Sequence, residues 1–387
     1  MNYNISHPTK EVNCEINIPG SKSISNRVLI IRALCKTKFN IENLSDSDDT
    51  NVLKNNLNNK KKHINIGASG TALRFLTSYL ATQEGINCIL SGSERIQERP
   101  IKELVNTLNK LGADICYVNQ NKYAPLKISG KKLKGGEINI KGDISSQFIS
   151  SILLIAPTLE KGIKLNIIGK IVSKPYIDMT LSIMKGFGIN YSWKNNTIHI
   201  ANQNYTSHKY KVESDWSSAA FWMQIGCLSN KCIIKLKGMQ KKSIQGDKKA
   251  VNIFSNLGIK TSFNNDELKI EKNHNISFPK EINLIDTPDL YQPLKCILFA
   301  LDINCKITGL QTLKNKETDR IKAIKKELKN LYKTKVIETY NDHRMAMSFA
   351  PLSLKFGKLK INNSEVVSKS YPDFWKDLKR AGFIISL

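Results

Sequence analysis

The chain has 387 residues and carries 59 Lys and Arg against 33 Asp and Glu, a formal charge of +26. At 41 % hydrophobic and 24 % charged residues it is globular in composition and too long for one ordinary domain, which excludes a disordered or fibrous chain. The start MNYNISHPTKEV has no signal-like apolar stretch, no apolar run can span a bilayer, and the 8 Cys form neither CxxC pairs nor zinc-spaced clusters; a cytoplasmic protein with reduced core thiols and no metal is expected.

Along the chain one pattern recurs. A Gly/Ser/Asp-rich turn leads into an apolar helix, and a more amphipathic helix follows. SKSISNRVLIIRALC from Ser21 is followed by TNVLKNNLNN. GASGTALRFLTSYLA from Gly67 is followed by RPIKELVNTLNKLGA. GDISSQFISSILLIAP from Gly142 is followed by YIDMTLSIMKGFGI. The second half repeats this with SDWSSAAFWMQIGCL from Ser214 and KKAVNIFSNLGI, DTPDLYQPLKCILFAL from Asp286 and KETDRIKAIKKELKNL, and YNDHRMAMSFAPLSL from Tyr340 and YPDFWKDLKRAGF. Short β-rich runs such as KLNIIG, TIHIA and KCIIKLKG lie between. Six units of two helices and several strands are predicted, three per domain. The first helix of each unit is apolar nearly all round and should be buried, whereas the second keeps a polar face. Lys316 and Arg320, four apart in KETDR, are expected on one helix, with Glu317 and Asp319 on different faces.

The basic charge is mostly Lys spread along the whole chain, a solvated surface rather than a nucleic-acid patch; no helix-turn-helix or aromatic/basic interleaving appears. Arg is scarce, and a guanidinium holds carboxylate or phosphate by a planar fork that Lys cannot copy. Arg27, Arg74, Arg95, Arg99, Arg320 and Arg344 fall in or just after the polar turns, joined by Lys22, Lys316 and Lys369. Helix N-termini rich in such residues suit small polyanionic substrates. Gly20-Ser21-Lys22-Ser23 is not a Walker A loop, because Glu15 stands where its first Gly belongs, and no GxGxxG opens a Rossmann unit. The lone His343 in the NDHR turn is read as structural.

PGSKSISNR, GTALR, ERPI, SSQF, SKPYID, KETDR, NDHRMAMSF and SKSYPDFW occur in this order from Pro19 to Trp375. In them the chain resembles the 5-enolpyruvylshikimate-3-phosphate synthase family. The resemblance implies a two-domain inside-out α/β barrel of six βαβαββ units, three per domain. It places residues 1–20 and 213–387 in one domain and 21–212 in the other. It implies transfer of an enolpyruvyl group from phosphoenolpyruvate to the 5-hydroxyl of shikimate 3-phosphate, by a monomer, without cofactor, metal, nucleic acid or membrane. Lys22, Asp289 and Glu317 would be catalytic, Asp289 at the hydroxyl and Glu317 as proton donor to the methylene carbon. Lys22, Ser23, Arg27, Ser145, Ser146, Gln147, Ser173, Asp289 and Lys316 would hold shikimate 3-phosphate. Lys22, Gly70, Arg99, Gln147, Arg320, Arg344 and Lys369 would hold phosphoenolpyruvate. The chain departs from the family pattern at Ala68, Phe75 and Trp216. It also lacks the Cys that marks the sister family, UDP-N-acetylglucosamine enolpyruvyl transferase, near SERIQERP.

Overall fold

The strand Gly136–Lys141 leads into the helix Ser146–Ile155, and the chain returns as the parallel strand Ile163–Ile168. After the helix Lys174–Gly186, the antiparallel strands Ser192–Lys194 and Thr197–Ile200 complete a βαβαββ unit. Ile138 pairs with Leu165 and Ile140 with Ile167, so the alternating apolar residues of both strands face the core together. The computed structural model describes residues 1–57, 61–143 and 145–387. They group into a middle unit, 22–44 and 48–212, and a terminal unit, 1–21, 45–47 and 213–387.

The middle unit repeats this arrangement with the strands His63–Asn65, Asn87–Ser91, Asp114–Tyr117 and Leu126–Ser129 around the helices Gly70–Ala81 and Lys102–Lys110. Its third repeat is shorter: a parallel pair, Ile41–Glu42 with Tyr210–Lys211, and the helices Lys22–Leu34 and Asp48–Asn56.

The terminal unit follows the same plan. Glu11–Asn17 pairs in parallel with Lys231–Lys237, and Leu257–Asn264 and Glu267–Ile276 add the hairpin. A second sheet runs Val336–Ile337, Leu359–Ile361, Tyr3–Ser6, Ile384–Ser386, so the first strand of the chain fills a place in the last sheet. The third repeat is again reduced, to the parallel pair Glu281–Asn283 and Lys306–Thr308. The reason is chain length: after the helix Arg320–Thr334 only Lys335 precedes the next strand, which leaves nothing to build a hairpin.

Burial separates the two helix series as their sequences predict. Every residue of Gly70–Ala81 is buried, as is all of Ser146–Ile155 except Gln147 and all of Trp216–Leu228 except Ser217. Lys102–Lys110 instead buries Leu104, Val105 and Leu108 and keeps Lys102 and Lys110 in solvent. Each fully buried aliphatic side chain contributes about 1.5–3 kcal/mol, so the inner helices dominate cohesion. Their polar turns cap them: Ser69 accepts from the Ala72 N–H, Ser145 from Gln147, Asp215 from Ser217 and Asp342 from Arg344; in the outer series Asp319 likewise accepts from Lys322. Trp216 opens its helix inside the core, its ring 6.1 Å from that of Phe263. No helix among the described residues is long and apolar enough to cross a membrane.

Candidate active site

In the middle unit the expected residues gather at the starts of the buried helices. Lys22, first in its helix, sets its Nζ 3.0 Å from Asp49 Oδ2. Arg27, one turn on, is buried, and its hydrogen bonds among the described residues end on neutral oxygens. Its Nε donates to Thr180 Oγ1 at 2.7 Å, Nη1 to the Ser23 carbonyl at 2.8 Å, and Nη2 to Ser150 Oγ at 3.0 Å and the Tyr176 carbonyl at 3.3 Å. Burial with no carboxylate among these partners lowers its pKa to about 10. Phe75, one of the departures from the family pattern, lies under this guanidinium at 5.6 Å.

Gly70 is where two further guanidiniums meet. Arg74 Nη1 donates to the Gly70 carbonyl at 2.8 Å. A Cβ on Gly70 would fall on Arg99 Nη1 and only 2.6 Å from Arg74 Nη1. The missing side chain is what lets both arginines close over this backbone. Gln147 Nε2 donates to Thr71 Oγ1 at 3.1 Å, which ties the Ser146–Ile155 helix to the first turn of the Gly70–Ala81 helix. Thus Gly70, Arg99 and Gln147 come together, and Arg74 joins them. Ser145 and Ser146 flank Gln147 at the same helix start. Ser173 is buried ahead of the Lys174–Gly186 helix in a left-handed conformation, φ 54°, which a residue with a side chain seldom adopts.

The terminal unit holds a dense charge network centred on Arg320. Its Nε donates to Asp342 Oδ2 at 2.7 Å and its Nη2 to Asp342 Oδ1 at 3.3 Å, a forked grip. Nη1 reaches Asp289 Oδ1 and Nη2 reaches Glu317 Oε2, each at 2.9 Å. Arg344 donates to Asp289 twice, to its carbonyl at 3.0 Å and its carboxylate at 3.2 Å. Lys316 Nζ lies 3.5 Å from Asp289 Oδ1 and Lys369 Nζ 3.4 Å from Glu317 Oε1. Four cations, Lys316, Arg320, Arg344 and Lys369, therefore face three carboxylates, Asp289, Glu317 and Asp342.

Burial would raise the pKa of Asp289, but Arg344, Lys316 and Arg320 outweigh it and hold the carboxyl well below the usual range. Burial also lowers Lys316, against the opposing pull of Asp289. For Arg320 burial is overcome by Asp342, Glu317 and Asp289, which push its pKa up.

One expectation fails here. Lys316 and Glu317 are not helical: the helix begins at Arg320, Asp319 is its cap, and Lys316–Asp319 form the turn before it. Arg320 is 2 % exposed, so its ion pair with Glu317 is buried rather than a surface contact. Asp342 and Asp49 were not singled out by the sequence. Their signals were an acidic residue beside one of the scarce arginines, in NDHR, and the acidic run DSDDT.

The repeat and its charged helix starts occur here in a chain of the enolpyruvyl (carboxyvinyl) transferase class. The family profile "EPSP synthase (3-phosphoshikimate 1-carboxyvinyltransferase)" matches residues 6–59 and 51–378, and the chain belongs to that family. It is 43 % identical to the 3-phosphoshikimate 1-carboxyvinyltransferase of Bacteroides fragilis (strain YCH46), over all of this chain and 99 % of that one. It is 34 % identical to the protein of the same name from Psychromonas ingrahamii (strain DSM 17664 / CCUG 51855 / 37), over 98 % and 99 %. Among solved structures, an EPSP synthase from Acinetobacter baumannii superimposes with a TM-score of 0.79 at 21 % identity, covering 100 % of both chains, a likeness of fold.

Proposed function

We propose that this chain transfers the enolpyruvyl group of phosphoenolpyruvate to the 5-hydroxyl of shikimate 3-phosphate and releases inorganic phosphate. The observation that carries the chemistry is the placement of Asp289 and Glu317 on one guanidinium, that of Arg320, each at 2.9 Å. The reaction forms a C–O bond to C2 of phosphoenolpyruvate while C3 gains a proton. The tetrahedral intermediate then loses phosphate from C2 and the proton from C3. It needs a carboxylate at the attacking hydroxyl, an acid at C3 and cations for two phosphates and two carboxylates.

Asp289, held ionised by its cations, accepts the hydrogen bond of the 5-hydroxyl and takes its proton as the C–O bond forms. Glu317 supplies the proton to C3. Its carboxylate lies between two cations, Oε2 2.9 Å from Arg320 Nη2 and Oε1 3.4 Å from Lys369 Nζ, which fix its position beside the phosphoenolpyruvate subsite. Lys22, Ser23, Arg27, Ser145, Ser146, Gln147, Ser173 and Lys316 are assigned to shikimate 3-phosphate. Gly70, Arg99, Gln147, Arg320, Arg344 and Lys369 are assigned to phosphoenolpyruvate, with Lys22 serving both. The protein acts as a cytoplasmic monomer without metal or cofactor.

Phosphate release tests this directly, with phosphoenolpyruvate plus either shikimate 3-phosphate or UDP-N-acetylglucosamine. Release with the first acceptor alone is the expected result. Release only with the second would reassign the acceptor.

A further inference from the structure

Glu327 lies two turns beyond Arg320 on the same helix and is 2 % exposed. The reaction proposed above does not use it, yet its carboxylate is fully engaged. Oε1 accepts the Tyr340 hydroxyl at 2.5 Å and Oε2 accepts the Glu338 N–H at 3.1 Å. Tyr340 and Asn341 both sit in the left-handed region, φ 52° and 54°, although neither is glycine. Two successive side-chain residues do not hold that conformation unless their surroundings impose it. Lys326 adds its Nζ over the Tyr340 ring at 5.6 Å.

The strained pair leads straight into Asp342, His343 and Arg344. Asp342 is gripped by Arg320 and accepts the Arg344 N–H at 2.9 Å. The Arg320–Thr334 helix therefore holds this turn at two points seven residues apart on one face: Arg320 at Asp342, and Glu327 at Glu338 and Tyr340. With only Lys335 between this helix and the strand Val336–Ile337, the short connection is fixed at both ends. The direction of Arg344, and its fork on Asp289, depends on this turn.

We propose that Glu327 is a positioning residue: through Tyr340 and the Glu338 backbone it holds the left-handed turn that aims Arg344, and so sets affinity for phosphoenolpyruvate. This rests on the enolpyruvyl-transfer reading. The test measures phosphate release by the full chain with shikimate 3-phosphate, for wild type, Tyr340→Phe, Glu327→Gln and Glu327→Ala, with thermal melting alongside. A hydrogen bond to a charged carboxylate is worth enough to expect KM for phosphoenolpyruvate to rise about 5–20-fold in Tyr340→Phe, with kcat and KM for shikimate 3-phosphate within about two- to threefold. Glu327→Gln, which keeps one acceptor, should lose less than Glu327→Ala. A merely structural role would lower the melting temperature without this split between substrates. An unchanged KM for phosphoenolpyruvate in Tyr340→Phe, or an equal rise for both substrates, overturns the inference while leaving the wild-type activity standing. A wild type that releases no phosphate with this acceptor overturns both.

Discussion

Arg99 occupies the space that a side chain on Gly70 would need. A Cβ there would fall on Arg99 Nη1 and lie 2.8 Å from Arg99 Cζ. Gly70 opens a helix, where alanine is favoured by propensity, so Gly70→Ala should fold normally. Its added methyl must push the guanidinium aside, which a flexible side chain permits. The expected outcome is a melting temperature within a few degrees of wild type and a KM for phosphoenolpyruvate raised about tenfold. Steady-state kinetics with each substrate varied in turn would check it; an unchanged KM would remove Gly70 and Arg99 from that subsite.

Arg344 donates through both Nη atoms to Asp289, one to the carbonyl and one to the carboxylate. Arg344→Lys keeps the charge and loses the two-point geometry. We expect a higher KM for phosphoenolpyruvate and nearly unaltered affinity for shikimate 3-phosphate, read by isothermal titration of each substrate. Equal weakening of both would contradict the assignment.

Glu317→Gln keeps size and hydrogen bonding but cannot cycle a proton. A loss of about 10²–10⁴-fold in kcat is expected, with both substrates still bound. Asp319→Asn is the matched control, since it removes one negative charge from the same turn and Asn caps a helix as well as Asp. It should stay within a few-fold of wild type. Equal damage from the two substitutions would withdraw the acid role from Glu317.

Asp247 gives a pH dependence of stability opposite in sign to that of Asp289. Burial, with Asp289 nearby and against the pull of Arg344 and the Ser217 hydroxyl, pushes Asp247 up to about 6. Between the unfolded value near 4 and this folded value, the native state binds more protons than the unfolded chain. The Asp247 contribution is thus greatest below the unfolded pKa and is lost as pH rises to about 6. Asp289, held low, contributes stability above its unfolded pKa and loses it only in stronger acid. Denaturant melts from pH 4 to 7 should show Asp247→Asn falling less with rising pH than wild type. Parallel curves would show that Asp247 does not titrate in that window.

The repeat and its two helix series were legible because burial leaves a period. TALRFLTSYLA is apolar nearly all round, whereas KELVNTLNK is apolar on one face only. The arginines were legible because so few occur among many lysines. Partners were not legible. Thr180 meets Arg27 across 153 residues and Asp342 meets Arg320 across 22, and no local pattern encodes such a pairing. The spacing of KETDR reads as helical throughout, yet the capping preference of Asp319 wins: Lys316 to Asp319 lie before the helix and Arg320 opens it. The shortened repeats were hidden for a different reason: a missing hairpin changes no periodicity, only the number of residues before the next strand.

Arg27 carries a consequence of its own. Its hydrogen bonds end on hydroxyls and carbonyls, so its full positive charge is solvated by dipoles rather than neutralised by any of these partners. Dissolved salt screens a buried charge much less than an exposed one. The many surface lysines lose their reach within about 8 Å at physiological ionic strength, whereas Arg27 projects its field from inside the fold. Attraction of an incoming anion to this helix start should therefore persist in salt concentrations that silence the basic exterior.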